Sequence, residues 1–151
     1  MKGYTYTPKK SESVARARGW ELRISPKRAY EVMRAIRGMP LEDAKGFLQD
    51  VADLKRAVPF RRYNQETAHK KGIGPGRYPQ KVARKVLIVL ENAEANAEDE
   101  GLNVDEAYIK VAAASRGRIV KAIMPRAQGR STPWNEQTTN IEIVLAERGQ
   151  S

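Results

Sequence analysis

No cysteine occurs anywhere in the chain, so disulfides and thiolate metal sites are excluded outright, and the composition fits a reducing compartment. Histidine is almost as scarce. His69 stands alone, and a metal centre would have to rest on carboxylates in the acidic stretch around Asp99 and Glu100, which reads as a solvated helix end. No metal and no other cofactor is expected, and His69 is expected on the surface. Apolar runs are short: none approaches the roughly 20 residues that span a bilayer, and no amphipathic stretch combines a basic face with large apolar anchors. The opening MKGYTYTPKKSESVARARG lacks the apolar stretch of about 7–15 residues found in signal peptides. A cytoplasmic protein with no membrane partner is expected.

Catalytic signals are missing as well. Ser25, Ser115 and Ser131 sit in no G-x-S-x-G context, and nothing apolar near Asp99 and Glu100 would separate their pKa values for acid and base roles. The one glycine-rich loop, KKGIGPGRYP, lacks the preceding strand and the Gly-Lys-Ser/Thr helix opening of a nucleotide P-loop. No enzyme activity and no small-molecule substrate are expected.

The charge in short supply is negative: 28 Lys+Arg face 18 Asp+Glu, a formal +10. A polyanionic partner is implied, with nucleic acid first. The excess is uneven. From Lys55 to Lys85 there are ten cations (Lys55, Arg56, Arg61, Arg62, Lys70, Lys71, Arg77, Lys81, Arg84, Lys85) against Glu66 alone, interleaved with Phe60, Tyr63 and Tyr78. That mixture suits phosphate neutralisation with stacking on unpaired bases; the competing reading is a solvated charge run with its aromatics on the core. From Val86 to Glu106 the sign reverses, with seven acids and no base. From Ala107 to Asn135 only cations occur.

Residues 1–19 read as a basic tail, with Tyr4 and Tyr6 beside Lys9, Lys10, Arg16 and Arg18, either disordered or ordering on RNA. Residues 20–151 read as one α+β domain. WELRI from Trp20 alternates as a short strand. Ser25 and Pro26 open a helix to about Arg37 with Ala29, Val32, Met33 and Ile36 on its apolar face. Pro40 opens a second, with Leu41, Ala44, Leu48 and Val51 buried. The glycines and prolines of 55–79 make a long loop. A third helix runs from Pro79 to about Glu100, its broad apolar stripe suited to the core.

Tyr108 to Met124 and Thr138 to Leu145 read as strands, the second placing Ile141, Ile143 and Leu145 on one face. At about 3.3 Å per residue the first is on the order of 50 Å long, more than a body of roughly 30 Å can cover. A protruding hairpin over 107–147 with its tip at 125–137 is expected. A lone two-stranded arm is marginal in water and depends on a partner along its length. Edge protection by cations is the competing reading of its charge.

WELRISPKRAYEVMRAIRGMPLEDA, ARKVLIVLENAEANA and AYIKVAAASRGRIVKAIMPRAQGRSTPWNEQTTNIEIVLAER, in this order and spacing, resemble the ribosomal protein L twenty-two family of the large subunit, from about Trp20 to Arg148. HKKGIGPGRYP and the basic block around it resemble the archaeal and eukaryotic branch. The resemblance implies a body of three helices on a small antiparallel sheet and a long hairpin passing through rRNA to the wall of the nascent-peptide tunnel. Implied partners are large-subunit rRNA, neighbouring large-subunit proteins and the nascent polypeptide. The match to RISPKR places Arg23, Lys27 and Arg28 on rRNA phosphates, and the tip motif comprises Pro125, Arg126, Ala127, Gly129 and Arg130. After Arg130 this chain reads STPWNEQTT where bacterial tips often continue with several cations. Charge adds Arg16, Arg18, Arg61, Arg62, Lys70, Lys71, Arg77, Lys81, Arg84, Lys110, Arg116, Arg118 and Lys121 as expected RNA contacts, with Tyr78 for stacking. The alternative is a free-standing RNA-binding regulator or chaperone.

Overall fold

The computed structural model describes residues 3–9 and 12–147. Lys10, Arg148 and the rest of the expected domain's last residues lie outside the described residues. In chain order the elements are β1 (Val14–Leu22), α1 (Pro26–Ile36), α2 (Leu41–Ala52), β2 (Val58–Pro59), β3 (His69–Lys70), β4 (Gly74–Arg77), α3 (Gln80–Asp99), β5 (Ala107–Val120), β6 (Ile123–Pro125), β7 (Ser131–Pro133) and β8 (Glu136–Glu147). The class is α+β, as expected. β8 lies between β1 and β5 in an antiparallel sheet, β4 lies between β2 and β3 in a small one, and β6 pairs with β7.

The helices form where propensity, caps and apolar spacing agree. Pro26 occupies the first turn of α1, where its missing N–H costs nothing, and Ala29, Val32, Met33 and Ile36 are all buried. Glu42 and Asp43 lie in the first turn of α2, where the helix dipole favours acids. α3 ends at Gly101, whose φ of 75° only glycine adopts without strain. Gly101 N–H donates to Glu98 O at 3.0 Å and Leu102 N–H to Ala97 O at 2.9 Å, a pattern that satisfies the last carbonyls. The helices cover one sheet face, where Ala15, Ala17, Ile109, Ala112, Ile141, Ile143 and Leu145 join their apolar stripes in a single core. Each fully buried Ile or Leu stabilises this core by about 1.5–3 kcal/mol.

Three expectations need correction. The first strand begins at Val14 rather than Trp20 and pairs with β8 from Val14↔Ala146 to Gly19↔Ile141, so the 19/20 boundary falls inside a strand. Its alternation is weak in sequence because the buried positions are small, Ala15, Ala17 and Gly19. The loop 55–79 contains a three-stranded sheet; Gly72 lies in the turn between β3 and β4 and Gly74 opens β4, with φ of 81° and 72°. The long first arm strand breaks at Lys121 and Ala122.

The opposite face of the central sheet is covered by the chain's own beginning. Tyr6 packs with Tyr108 and Val111 on Val14, Val144 and Ala146. The buried Glu142 carboxylate accepts the backbone N–H groups of Thr5 at 3.0 Å and Tyr6 at 2.9 Å. Satisfying two donors with one buried charge holds the segment down.

Bulges direct the arm. Gly117 and Arg118 together oppose Thr138 between the pairs Arg116↔Thr139 and Ile119↔Gln137. A Cβ on Gly117 would lie 2.3 Å from Thr138 Oγ1, whose hydroxyl donates to Arg118 O at 2.8 Å. On the other side of β8, Asn140 Oδ1 accepts the N–H of Glu21 at 2.8 Å, where φ is 47°. Such bulges sharpen twist and re-aim a strand. Beyond them the ladder continues: Val120 pairs with Glu136, Trp134 N–H donates to Ala122 O at 2.7 Å, and Ile123 pairs with Pro133. Residues 121–136 are exposed apart from half-buried Met124.

Candidate nucleic-acid interface

The first turn of α1 carries no acid, and Ser25 makes no side-chain cap, leaving its N–H groups open to an anion. Lys27 and Arg28 rise from that turn. Facing them is the segment after Phe60, which Glu31 of α1 fixes. Glu31 is 1% exposed; its Oε1 accepts the N–H groups of Arg62 and Tyr63, each at 2.8 Å, and its Oε2 accepts that of Arg61 at 3.2 Å. Three donors satisfy a charge that burial would otherwise make costly. A buried acid thus anchors a cationic loop.

The result is a basic concavity of about 630 Å³ lined by Ser25, Lys27, Arg28, Phe60, Arg62, Tyr63, Gln65, Glu66 and Arg77. Arg62 stacks over Tyr30 at 5.1 Å and Tyr63 at 5.4 Å, and these rings meet edge to face at 5.7 Å. Hydrogen bonding to Tyr30, reinforced by Tyr63, holds the Arg62 guanidinium above the usual arginine range. Arg77 is braced by Thr67 Oγ1 at 3.2 Å and lies 5.9 Å from the Phe60 ring. Of the three aromatics in the basic block, Phe60 is core, Tyr63 is half-buried and Tyr78 is exposed. Lys70 lies 5.5 Å over Tyr78. Lys71, Lys81 and Arg84 are exposed.

The expected contact residues do not all stand free. Lys110 pairs with Glu12 and lies over Tyr6 at 5.9 Å. Arg16 lies 4.7 Å over Tyr4, and Arg18 lies 4.5 Å over Trp20 while donating to Gly3 O at 2.6 Å. These three cations hold the N-terminal segment. Arg118 pairs with Glu21 at 3.0 Å and Arg23 with Glu136 at 4.0 Å, both with arginine side chains over 70% exposed, where screening leaves little net binding. The acid-free run of the arm is therefore approached by Glu12, just before β1, and by Glu21 within it.

Along the arm, Arg116, Lys121, Arg126 and Arg130 are exposed. At the tip, Arg126 N–H donates to Arg130 O at 2.8 Å and its Nε to Thr132 Oγ1 at 3.3 Å. Gln128 and Gly129 have φ of 59° and 68°, reversing the chain between Pro125, Arg126 and Ala127 on one side and Arg130 on the other. Ile119, Ile123 and Trp134 are 52%, 72% and 61% exposed, more apolar surface than an arm in water would leave uncovered. His69 is exposed, and no group of three or more His, Asp or Glu could hold a metal among the described residues.

Glu31 and Glu142 escaped the reading of the sequence. The available signal was Glu31's position as the only acid in α1, beside the buried positions Val32 and Met33.

The family model described as ribosomal protein L22p/L17e matches residues 17–146. A large ribosomal subunit protein uL22 of Methanopyrus kandleri is 52% identical over 141 residues, covering 91% of this chain and 89% of the relative. Its namesake in Methanothrix thermoacetophila is 53% identical over 147 residues, covering 95% of each, and that of Methanosphaera stadtmanae is 50% identical, covering 95% and 96%. With this match on top of the arm, the basic concavity and the order of motifs, the chain belongs to the ribosomal protein L22p/L17e family.

Proposed function

We propose that this chain is a structural, non-enzymatic constituent of the large ribosomal subunit that binds its rRNA, supports its assembly and brings the hairpin tip to the nascent-peptide tunnel. The relatives are named as large-subunit proteins. The observation that carries the RNA-binding part is the concavity joining Lys27 and Arg28 of α1 to Arg62 and Arg77 of the following block. Its cations and open helix N-terminus meet phosphate, while Arg62 offers a guanidinium plane already oriented by two rings. The arm adds exposed charges whose phosphate contacts release counterions. Packing of RNA along both strands supplies the partner that a marginal two-stranded ladder requires. Ile119, Ile123 and Trp134 become buried against neighbouring proteins, RNA bases or the passing polypeptide.

Chemical probing of large-subunit rRNA tests this, with the full chain and with a variant lacking residues 125–134. The body footprint is expected to persist in the variant while protection next to the tip disappears. Equal footprints from both chains would remove the tip from the interface, and no footprint from either would remove RNA binding.

A further inference from the structure

Arg61 and Arg62 are adjacent in sequence but line different cavities, because the Glu31 clamp holds the segment with alternating side chains to either side. The second cavity, about 310 Å³, lies between α1, α2 and the basic block and is lined in part by Arg34, Arg56 and Arg61 with Met39, Phe47 and Ile73. Its chemistry differs from that of the phosphate-facing concavity: arginines surround a predominantly apolar lining. Glu31 is the only acid there, and its oxygens are occupied by three backbone donors. Arg34 and Arg61 are exposed and make no ion pair or side-chain hydrogen bond among the described residues. The Arg56 guanidinium lies 4.9 Å over the buried Phe47 ring, an arrangement that fixes its plane.

We infer that this cavity receives a single unstacked nucleotide of RNA, its base against Arg56 and the apolar wall and its phosphate at Arg34 and Arg61. The inference rests on the RNA-binding reading and adds a second, base-binding site to it. Size admits one nucleotide and excludes a helix, since small-ligand sites begin near ~300 Å³. Charge favours an anion, and a guanidinium backed by Phe47 on one side favours an aromatic ring on the other. An inorganic anion alone would leave the apolar wall unused.

The test uses the full chain with methyl-labelled methionines, since Met39 lines the cavity while Met33 is buried in the core and Met124 lies on the arm. Adenosine 5′-monophosphate is expected to shift Met39 by ring current, saturating at millimolar concentration, with Met33 and Met124 unmoved. Ribose 5-phosphate carries the same phosphate without the ring and is expected to leave Met39 in place. Arg56→Ala is expected to weaken the nucleotide response at least fivefold, and Arg56→Lys, which keeps the charge but not the plane, to do nearly the same. Equal response to ribose 5-phosphate, or full binding by Arg56→Lys, would overturn base recognition. A tighter response to an acidic peptide than to the nucleotide would overturn it in favour of a protein partner. With backbone amides labelled as well, a single-stranded RNA that moves Tyr63 but not Met39 would overturn this site alone, whereas no response at either residue would overturn the RNA-binding reading with it.

Discussion

Glu31 and Arg62 are joined through the main chain, not through their charges: the Glu31 Oε1 accepts the Arg62 backbone N–H at 2.8 Å, leaving the guanidinium free to stack on Tyr30 and Tyr63. An acid placed beside cations in this way orders them without neutralising them in a side-chain ion pair. Glu142 does the same for the N-terminal segment.

Glu31→Gln keeps the shape of the side chain but replaces an oxygen acceptor with an amide donor facing a backbone N–H. The expected cost is about 2 kcal/mol, the worth of hydrogen bonds to a charged group, read from urea unfolding. Hydrogen exchange at Arg61, Arg62 and Tyr63 is expected to rise at the same time. Unchanged exchange at these amides would separate the loop from the clamp.

Gly117→Ala places a methyl group where Thr138 Oγ1 now sits. The Thr138 bond to Arg118 O must break or the bulge must open, at a cost of about 1–3 kcal/mol for an overpacked site. NMR shifts are expected to change along residues 115–138 and to stay constant in the helices. A variant with wild-type shifts on both sides of the bulge would show that the close approach is not needed.

Lys45 donates to Glu94 at 2.5 Å and Glu42 at 2.8 Å. Burial works against its charge, yet the two acids outweigh burial and raise its pKa above the ordinary lysine value of 10.5. A raised pKa in the folded state contributes stability below the unfolded value, and that contribution is lost as pH rises through the folded value. Lys45→Met is therefore expected to cost about 1 kcal/mol at pH 7, with the difference from wild type shrinking above the ordinary lysine range. A pH-independent difference would assign the effect to packing.

Lys110 is held by Glu12 in a largely covered pair, whereas the pair of Arg118 with Glu21 is exposed and easily exchanged for phosphate, so five arm cations remain: Arg116, Arg118, Lys121, Arg126 and Arg130. At about −0.7 to −0.9 per contact, the arm's share of the slope of log K against log salt is roughly −4. Replacing Lys121 with Gln is expected to lower the slope by about one contact, whereas Lys110→Gln leaves it nearly unchanged, as measured by filter binding from low to moderate salt. An equal loss from the two variants would place Lys110 on RNA.

The three helices were legible because their apolar spacing, prolines and terminal glycines agree, and Ile141, Ile143 and Leu145 declared a buried face through strict alternation. β1 was half hidden, since Ala15, Ala17 and Gly19 bury little surface and give little contrast with their neighbours. The small sheet in the basic block was hidden by its length: two- and four-residue strands rich in glycine and proline carry no period. Bulges left no trace either, although the one at Lys110 moves the buried set of β5 from Ala107 and Ile109 to Ala112. The charge pattern identified the cations but not which of them the fold would occupy, because Glu12, Glu21 and Glu136 reach them from distant parts of the chain.

Sedimentation of a cell lysate through sucrose gradients at low and high salt, with this chain followed by mass spectrometry, tests the central claim most directly. Co-sedimentation with the large subunit that survives the high-salt wash is the predicted result. Recovery with free protein at both salt concentrations would contradict it.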